Sequence, residues 1–230
     1  DLTLERMTNV AQLYPGRARA DGRYYVIQFN LAELRELAVH EGSVQINGAA
    51  RQLYPQRFPA TAALFRLHPL VAALELIAGL QASTGRTVGI YPELKSPWFH
   101  HQEGKDLAMA VLKVLAAHGY QNSEDAVFLQ SFDHAELVRV KTELLPELGM
   151  DLKLVQLIAH NEWNETMTLD AAGEQQAYDY AWMLTQAGVQ ELAQLVDGVG
   201  PAWDMLVPAS LTQAELAQVS SPFVEWAHAA

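Results

Sequence analysis

The chain has 230 residues, half of them hydrophobic and 18% charged, with 15 Lys+Arg against 27 Asp+Glu and a formal net charge of −12. That length suits one large domain or two small ones, and the composition excludes a disordered chain. The acidic balance argues against a nucleic-acid partner or an anionic membrane, and the absence of cysteine excludes disulfides, Cys-ligated zinc and a cysteine nucleophile.

Residues 1–60 carry few regular signals. The run 24–29 is short, apolar and aromatic and reads as a strand. Asn30 is placed to cap a helix over 31–37, with Glu33 at its third position. The stretch 11–65 reads as a loop-rich insertion within a single domain spanning 1–230. From residue 69 the pattern becomes regular. Leu70, Leu74, Ile77 and Leu80 recur at helical spacing before Gly85. Glu75 interrupts this run, so it is no membrane span. Strands are predicted over 87–93, 126–132, 152–158 and 198–200. Helices are predicted over 103–118 (stripe Leu107, Val111, Val114, Leu115), from Asp133 to near Pro146, over 189–195, over 211–219 and over 223–230. Short buried strands alternating with helices imply an α/β fold with a parallel sheet. No phosphate-binding glycine loop occurs, which favours a (β/α)8 TIM-barrel type over a nucleotide-binding open sheet. Only four strands are legible, so a partial barrel is expected. Asp1 rather than Met opens the chain and no signal peptide is read, so a removed leader is also expected.

Barrel enzymes place their chemistry at the C-terminal strand ends. The first such end carries Glu93 and Lys95. Side chains two apart on a strand face one way. Glu93 is therefore a candidate ligand for a hard cation and Lys95 a candidate partner for a phosphate oxygen; a surface ion pair is the plain alternative. His100 and His101 are adjacent, so their side chains diverge. They read as a polar lead into a helix, or as lining of a substrate mouth. Gln130 is placed to donate to a ligand oxygen, and Asp133 reads most simply as a helix cap. Ser131 lacks a nucleophile-elbow context. The loop His160-Asn161-Glu162-Trp163-Asn164-Glu165 and the turn-rich Asp197-Gly198-Val199-Gly200-Pro201 are unspecific alone.

Read together, the segments are specific. Gly89-Ile90-Tyr91-Pro92-Glu93-Leu94-Lys95-Ser96-Pro97-Trp98-Phe99-His100-His101-Gln102-Glu103-Gly104-Lys105-Asp106 resembles the periplasmic bacterial branch of the glycerophosphodiester phosphodiesterase family. So do Leu129-Gln130-Ser131-Phe132-Asp133, Val155-Gln156-Leu157-Ile158, Asp197-Gly198-Val199-Gly200-Pro201 and the opening 1–10. The resemblance implies a (β/α)8 barrel with a small insertion and a divalent cation, Ca²⁺ in this branch. It implies hydrolysis of small glycerophosphodiesters to sn-glycerol 3-phosphate and an alcohol in the periplasm. The family's H-R, its E-x-D and the His of its H-D have no counterpart here; Asp1, Glu93 and Lys95 match what remains of the pattern. The resemblance therefore implies a fragment of an active enzyme, inactive alone. A non-catalytic binding barrel and a phosphodiester-cleaving lipase on the same barrel are the rival readings.

Overall fold

A computed structural model describes residues 2–47, 49–52, 54, 65–207 and 221–230. Asp1 and the predicted helix 211–219 lie outside the described residues. The chain divides into two compact units, Asp1–Thr84 and Gly85–Ala230.

The first unit is built on Leu4, Val10, Tyr24, Phe29 and Leu37, with Tyr14, Val26, Leu34 and Leu67 packed against them. The predicted strand over 24–29 is instead a 3-10 turn, Val26–Gln28. Leu4 N–H donates to the Tyr24 carbonyl and Val26 N–H to the Leu2 carbonyl, so the run meets the opening segment through one antiparallel bridge, Thr3–Tyr25, before the chain turns. The helix after Asn30 is present as Leu31–Glu36, and its capping box is complete: Glu33 N–H donates to Asn30 and Asn30 N–H donates to Glu33. Arg17 pairs with Glu33 at 2.6 Å and lies 4.2 Å over the Phe29 ring, so the same helix start is tied to the core. The described part of 11–65 carries further short elements: Ala38–Val39 pairs antiparallel with Phe65–Arg66, and Ser43–Ile46 with Ala49–Gln52. The helix Leu70–Thr84 matches its prediction in extent but not in packing. It is apolar all round; Leu74 is buried, whereas Leu76 and Leu80 are exposed.

In the second unit, Phe128–Ser131, Lys153–Ile158 and Gly198–Pro201 form a parallel sheet in that order. The predicted strand over 87–93 is reduced to two parallel bridges, Ile90 to Val127 and Glu93 to Gln130. Pro92 lacks the N–H a continuous ladder requires. No closed barrel is formed among the described residues; the strands make an open parallel arc. In-register neighbours project to one side. Val127, Leu129, Ser131, Leu154, Gln156 and Ile158 are fully buried on one face. Tyr91, Glu93, Lys95, Phe128, Gln130 and Leu157 share the other, more open face, where Tyr91 meets Phe128 at 5.8 Å.

Helix boundaries shift for local reasons. Residues 97–102, expected as a polar lead into the helix 103–118, form a helix of their own, Pro97–Gln102, and the predicted helix itself is Leu107–Ala117. Gly104, at φ +68°, ends the first, and the Asp106 side chain caps the second by accepting from Met109 N–H. The buried stripe of the second is Ala108, Leu112 and Leu115; it keeps the expected Leu115 and replaces Leu107 and Val111 by their next neighbours. The helix opened by Asp133 passes Pro146 through a π-turn, Val140–Leu144, and stops at Gly149 in the left-handed region. A hairpin, Met167–Leu169 with Gln175–Ala177, was not foreseen. Its turn is set by Asp170, which accepts from Ala172 and Glu174 N–H, and by Gly173 at φ +83°.

Gly188 lies in the helix Gln186–Leu192, where a Cβ would overlap the carbonyl group of Trp182. Backbone cannot yield as a flexible side chain does. Gly188→Ala is expected to destabilise the chain by about 2–3 kcal/mol, as overpacking does. Gly198→Ala, which meets only Val155 Cγ2 at 3.4 Å, should cost clearly less. Urea unfolding of both variants checks the difference.

Candidate functional site

The C-terminal ends of the sheet gather a compact polar group. Leu94 N–H donates to the Gln130 carbonyl at 2.8 Å, and Ser131 Oγ donates to the Leu94 carbonyl at 3.0 Å. These bonds hold residues 93–95 extended just past Pro92. Glu93 and Lys95 therefore do face one side together, with Lys95 Nζ 3.3 Å from Glu93 Oε1. The ammonium also donates to Glu165 Oε2 at 2.9 Å and lies 5.3 Å from the centre of the Phe132 ring. Burial works against the Lys95 charge, but the Glu165 hydrogen bond and the Glu93 and Glu165 charges outweigh it. Lys95 therefore titrates above an ordinary lysine.

Glu165 was not singled out from sequence. It lies in the loop after Lys153–Ile158, 70 residues from Lys95. Its position is fixed by Trp98, whose indole Nε1–H donates to the Glu165 carbonyl at 3.0 Å. Trp98 is itself held by its backbone N–H on Asp133, a buried carboxylate that also caps the next helix through Glu136 N–H. Burial pushes the Asp133 carboxyl up, against those two hydrogen bonds. A carboxylate after a strand was legible; its choice of Lys95 was not.

The remaining candidates are placed as follows. Gln130 shares the face of Glu93, and its amide donates to the Tyr91 carbonyl at 3.1 Å, so in this structure it ties strand to strand. His101 bonds Glu136 at 2.9 Å and belongs to a network in which Arg139 holds Glu136 and Asp106, bolting three helix ends together. His100 is half-buried, which lowers its pKa; the neighbouring His101 charge adds to this. Neither histidine contacts the Lys95 group in the hydrogen bonds formed. Asp197 stands at the opposite end of its strand from the mouth: its carboxylate accepts from Leu154 N–H at 2.9 Å and its N–H donates to the Leu154 carbonyl. The mouth end of that strand instead delivers Asp204, 3.1 Å from His160 Nε2.

Among the described residues there is no group of three or more His, Cys, Asp or Glu that could hold a metal ion. Glu93 and Glu165 each place an oxygen on Lys95, whereas calcium takes six to eight oxygens. The described residues thus do not fit a calcium shell by themselves. No helix among them is long and apolar enough to cross a membrane.

The fold and this acid–ammonium–acid group define a barrel-type α/β protein with a charged cluster at its strand ends. The chain belongs to the glycerophosphoryl diester phosphodiesterase family, whose profile matches residues 1–225 and whose fold is the TIM barrel. It is similar to a glycerophosphodiester phosphodiesterase of Haemophilus influenzae, with 51% identity over 207 residues, 90% of this chain and 57% of the relative. A protein of the same name from Treponema pallidum is 44% identical over 204 residues, 89% of this chain and 57% of that protein. An Arabidopsis thaliana protein named glycerophosphodiester phosphodiesterase GDPD6 is 26% identical over 200 residues, 81% of this chain and 46% of its own length. The chain thus spans little more than half the length of the curated relatives it matches.

Removing the Glu165 charge should bring the Lys95 titration down. In the intact chain its midpoint is expected above that of a free lysine; in Glu165→Gln it should fall toward the ordinary value. Following the Lys95 Cε and Nζ resonances by NMR from pH 8 to 12 checks the direction. Equal midpoints in the two proteins would deny Glu165 its electrostatic hold.

Proposed function

We propose that this chain forms part of the active site of an enzyme that hydrolyses glycerophosphodiesters to sn-glycerol 3-phosphate and an alcohol. The observation that carries the reading is Lys95, a half-buried ammonium held at the C-terminal mouth of a parallel sheet by Glu93 and Glu165. Family membership and the names of the relatives support it. The substrate phosphodiester is an anion, and the chain around it carries a net charge of −12, so binding needs a local cation. Lys95 supplies one. A non-bridging phosphate oxygen meets the ammonium, which compensates the negative charge that grows on that oxygen as the ester bond breaks. A donor fixed before reaction needs no reorganisation when the charge appears. Phe132 beside the ammonium excludes water from one side and strengthens that interaction. Glu165 and Trp98 keep the ammonium in place between turnovers.

The proposal includes a divalent cation, calcium, with Glu93 as one of its carboxylate ligands and the rest of its shell outside the described residues. It also includes action in the periplasm, on the likeness of residues 89–106 to the periplasmic branch. Gln130, on the Glu93 face, is the proposed donor to a substrate oxygen once it exchanges the Tyr91 carbonyl for the ligand.

The test is turnover of glycerophosphocholine by the full-length protein with calcium, read as sn-glycerol 3-phosphate released. Lys95→Met should lower kcat by about 10²-fold, the effect of deleting one charge-stabilising donor, with little change in calcium affinity. Glu93→Gln should weaken calcium binding as well as turnover. Release of no sn-glycerol 3-phosphate would favour a non-catalytic barrel, and release of a different product a lipase-type cleavage. Normal turnover in Lys95→Met would return Lys95 to a surface ion pair. Cell fractionation with an antibody to the protein tests the compartment.

A further inference from the structure

Two indoles at the mouth end of the sheet are far more exposed than packing requires: Trp163 is 50% exposed and Trp203 68%. Trp163 ends the short turn Asn161–Trp163 that follows the strand Lys153–Ile158. Trp203 opens the helix Trp203–Leu206 after the strand Gly198–Pro201. These strands are paired through Ile158 and Pro201, so both indoles are delivered to the same end of the sheet. His160 joins the two segments. Its Nε2 lies 3.1 Å from both carboxylate oxygens of Asp204, and its ring packs edge-on against Trp163 with centroids 5.0 Å apart. The contact of Nε2 with both oxygens fixes the orientation of the carboxylate. The imidazole thus holds an indole and a carboxylate on one spot.

The surroundings sharpen the chemistry. Asp179 sits beside the same turn, bonded to Asn161 Nδ2 at 2.8 Å, and backbone N–H and side-chain hydrogen bonds keep it ionised. Glu162 is exposed within the turn. Lys95 is already met by two carboxylates, so the rim around Trp163 carries surplus negative charge. The spot is also close to the phosphate position: Trp163 is two residues from Glu165, so their Cα atoms are at most about 7 Å apart. An aromatic face beside a carboxylate is the recognition chemistry of an ammonium ion.

We propose that Trp163 and Asp204, joined through His160, form a subsite for the leaving alcohol of the phosphodiester and that it selects alcohols bearing an ammonium group. This rests on the activity proposed above, with the phosphate on Lys95 and the alcohol directed toward the turn. Trp203 is the second aromatic wall. The subsite gives the enzyme a preference for choline- and ethanolamine-type esters over neutral polyol esters.

The experiment compares kcat/KM of the full-length protein for glycerophosphocholine and for glycerophosphoglycerol at one salt concentration. The ratio of the two should fall about tenfold in Trp163→Leu and in Asp204→Asn, the size expected for a desolvated cation–aromatic contact. Trp163→Phe should keep most of it. A ratio that stays within about twofold of the parent in both variants overturns the subsite, because a purely structural role would lower both substrates alike. If neither ester is turned over, choline alone is titrated while indole fluorescence is read. Saturable quenching that is lost in Trp163→Leu then upholds the subsite while the proposed activity fails, and no quenching overturns both. A sedimentation arm with phosphatidylcholine vesicles separates a free ester from a lipid surface. Vesicle binding abolished by Trp163→Leu would assign the indoles to the surface and overturn the subsite.

Discussion

The parallel register of residues 90–95 against 127–131 is the constraint on which the mouth depends. Leu94 N–H on the Gln130 carbonyl and Ser131 Oγ on the Leu94 carbonyl lock that register at its last step. Side chains alternate with a period of two, so a slip of one residue would bury Glu93 and Lys95 and expose Leu94. Leu94 is 1% exposed and Ser131 fully buried, which makes the slipped arrangement costly on both faces. The same logic extends across the sheet. Gly200 packs close to Leu157: a Cβ there would come within 2.7 Å of Leu157 Cδ2, and that side chain would have to shift.

On that frame the electrostatics are local rather than global. At the strand ends of an acidic chain the Lys95 ammonium is held by two carboxylates, which keep it charged and in place. The support behind it is built from backbone and buried polar groups. Asp133 holds the Trp98 N–H, and Trp98 holds the Glu165 carbonyl. Tyr180 O–H and the Gln156 amide donate to the Phe132 carbonyl. Removing solvent from these groups costs free energy unless each is bonded, so the shell is stiff once formed. The ion network of Asp106, Arg139, Glu136 and His101 serves the helices that flank the mouth. Arg139 is held well above its ordinary pKa by Glu136 and Asp106, and Asp106 well below its own by Arg139.

How much was legible depended on the range of the interaction. The Asn30–Glu33 box, the Asp133 cap and the stop before Gly85 are local in sequence, and each was read correctly in kind. The apolar run 152–158 identified the strand Lys153–Ile158, and the strand period put Glu93 beside Lys95. Errors arose where tertiary partners override local preference. The aromatic run 24–29 looked like a strand but makes one antiparallel bridge, Thr3–Tyr25, before it turns, and the helix 107–117 buries Ala108 and Leu112 beside the expected Leu115.

The sequence by itself determined the alternation of strands and helices, the family pattern over 89–106 and the pairing of Glu93 with Lys95, because these rest on periodicity and on residues close in the chain. Only the tertiary structure decided that Glu165 completes the ammonium's shell from 70 residues away. It also decided that Asp197 lies at the far end of its strand, that Asp204 and His160 meet at the near one, and that His101 belongs to Glu136. Those pairings are set by which strand ends the parallel ladder brings level, and a ladder's register is a property of two strands together.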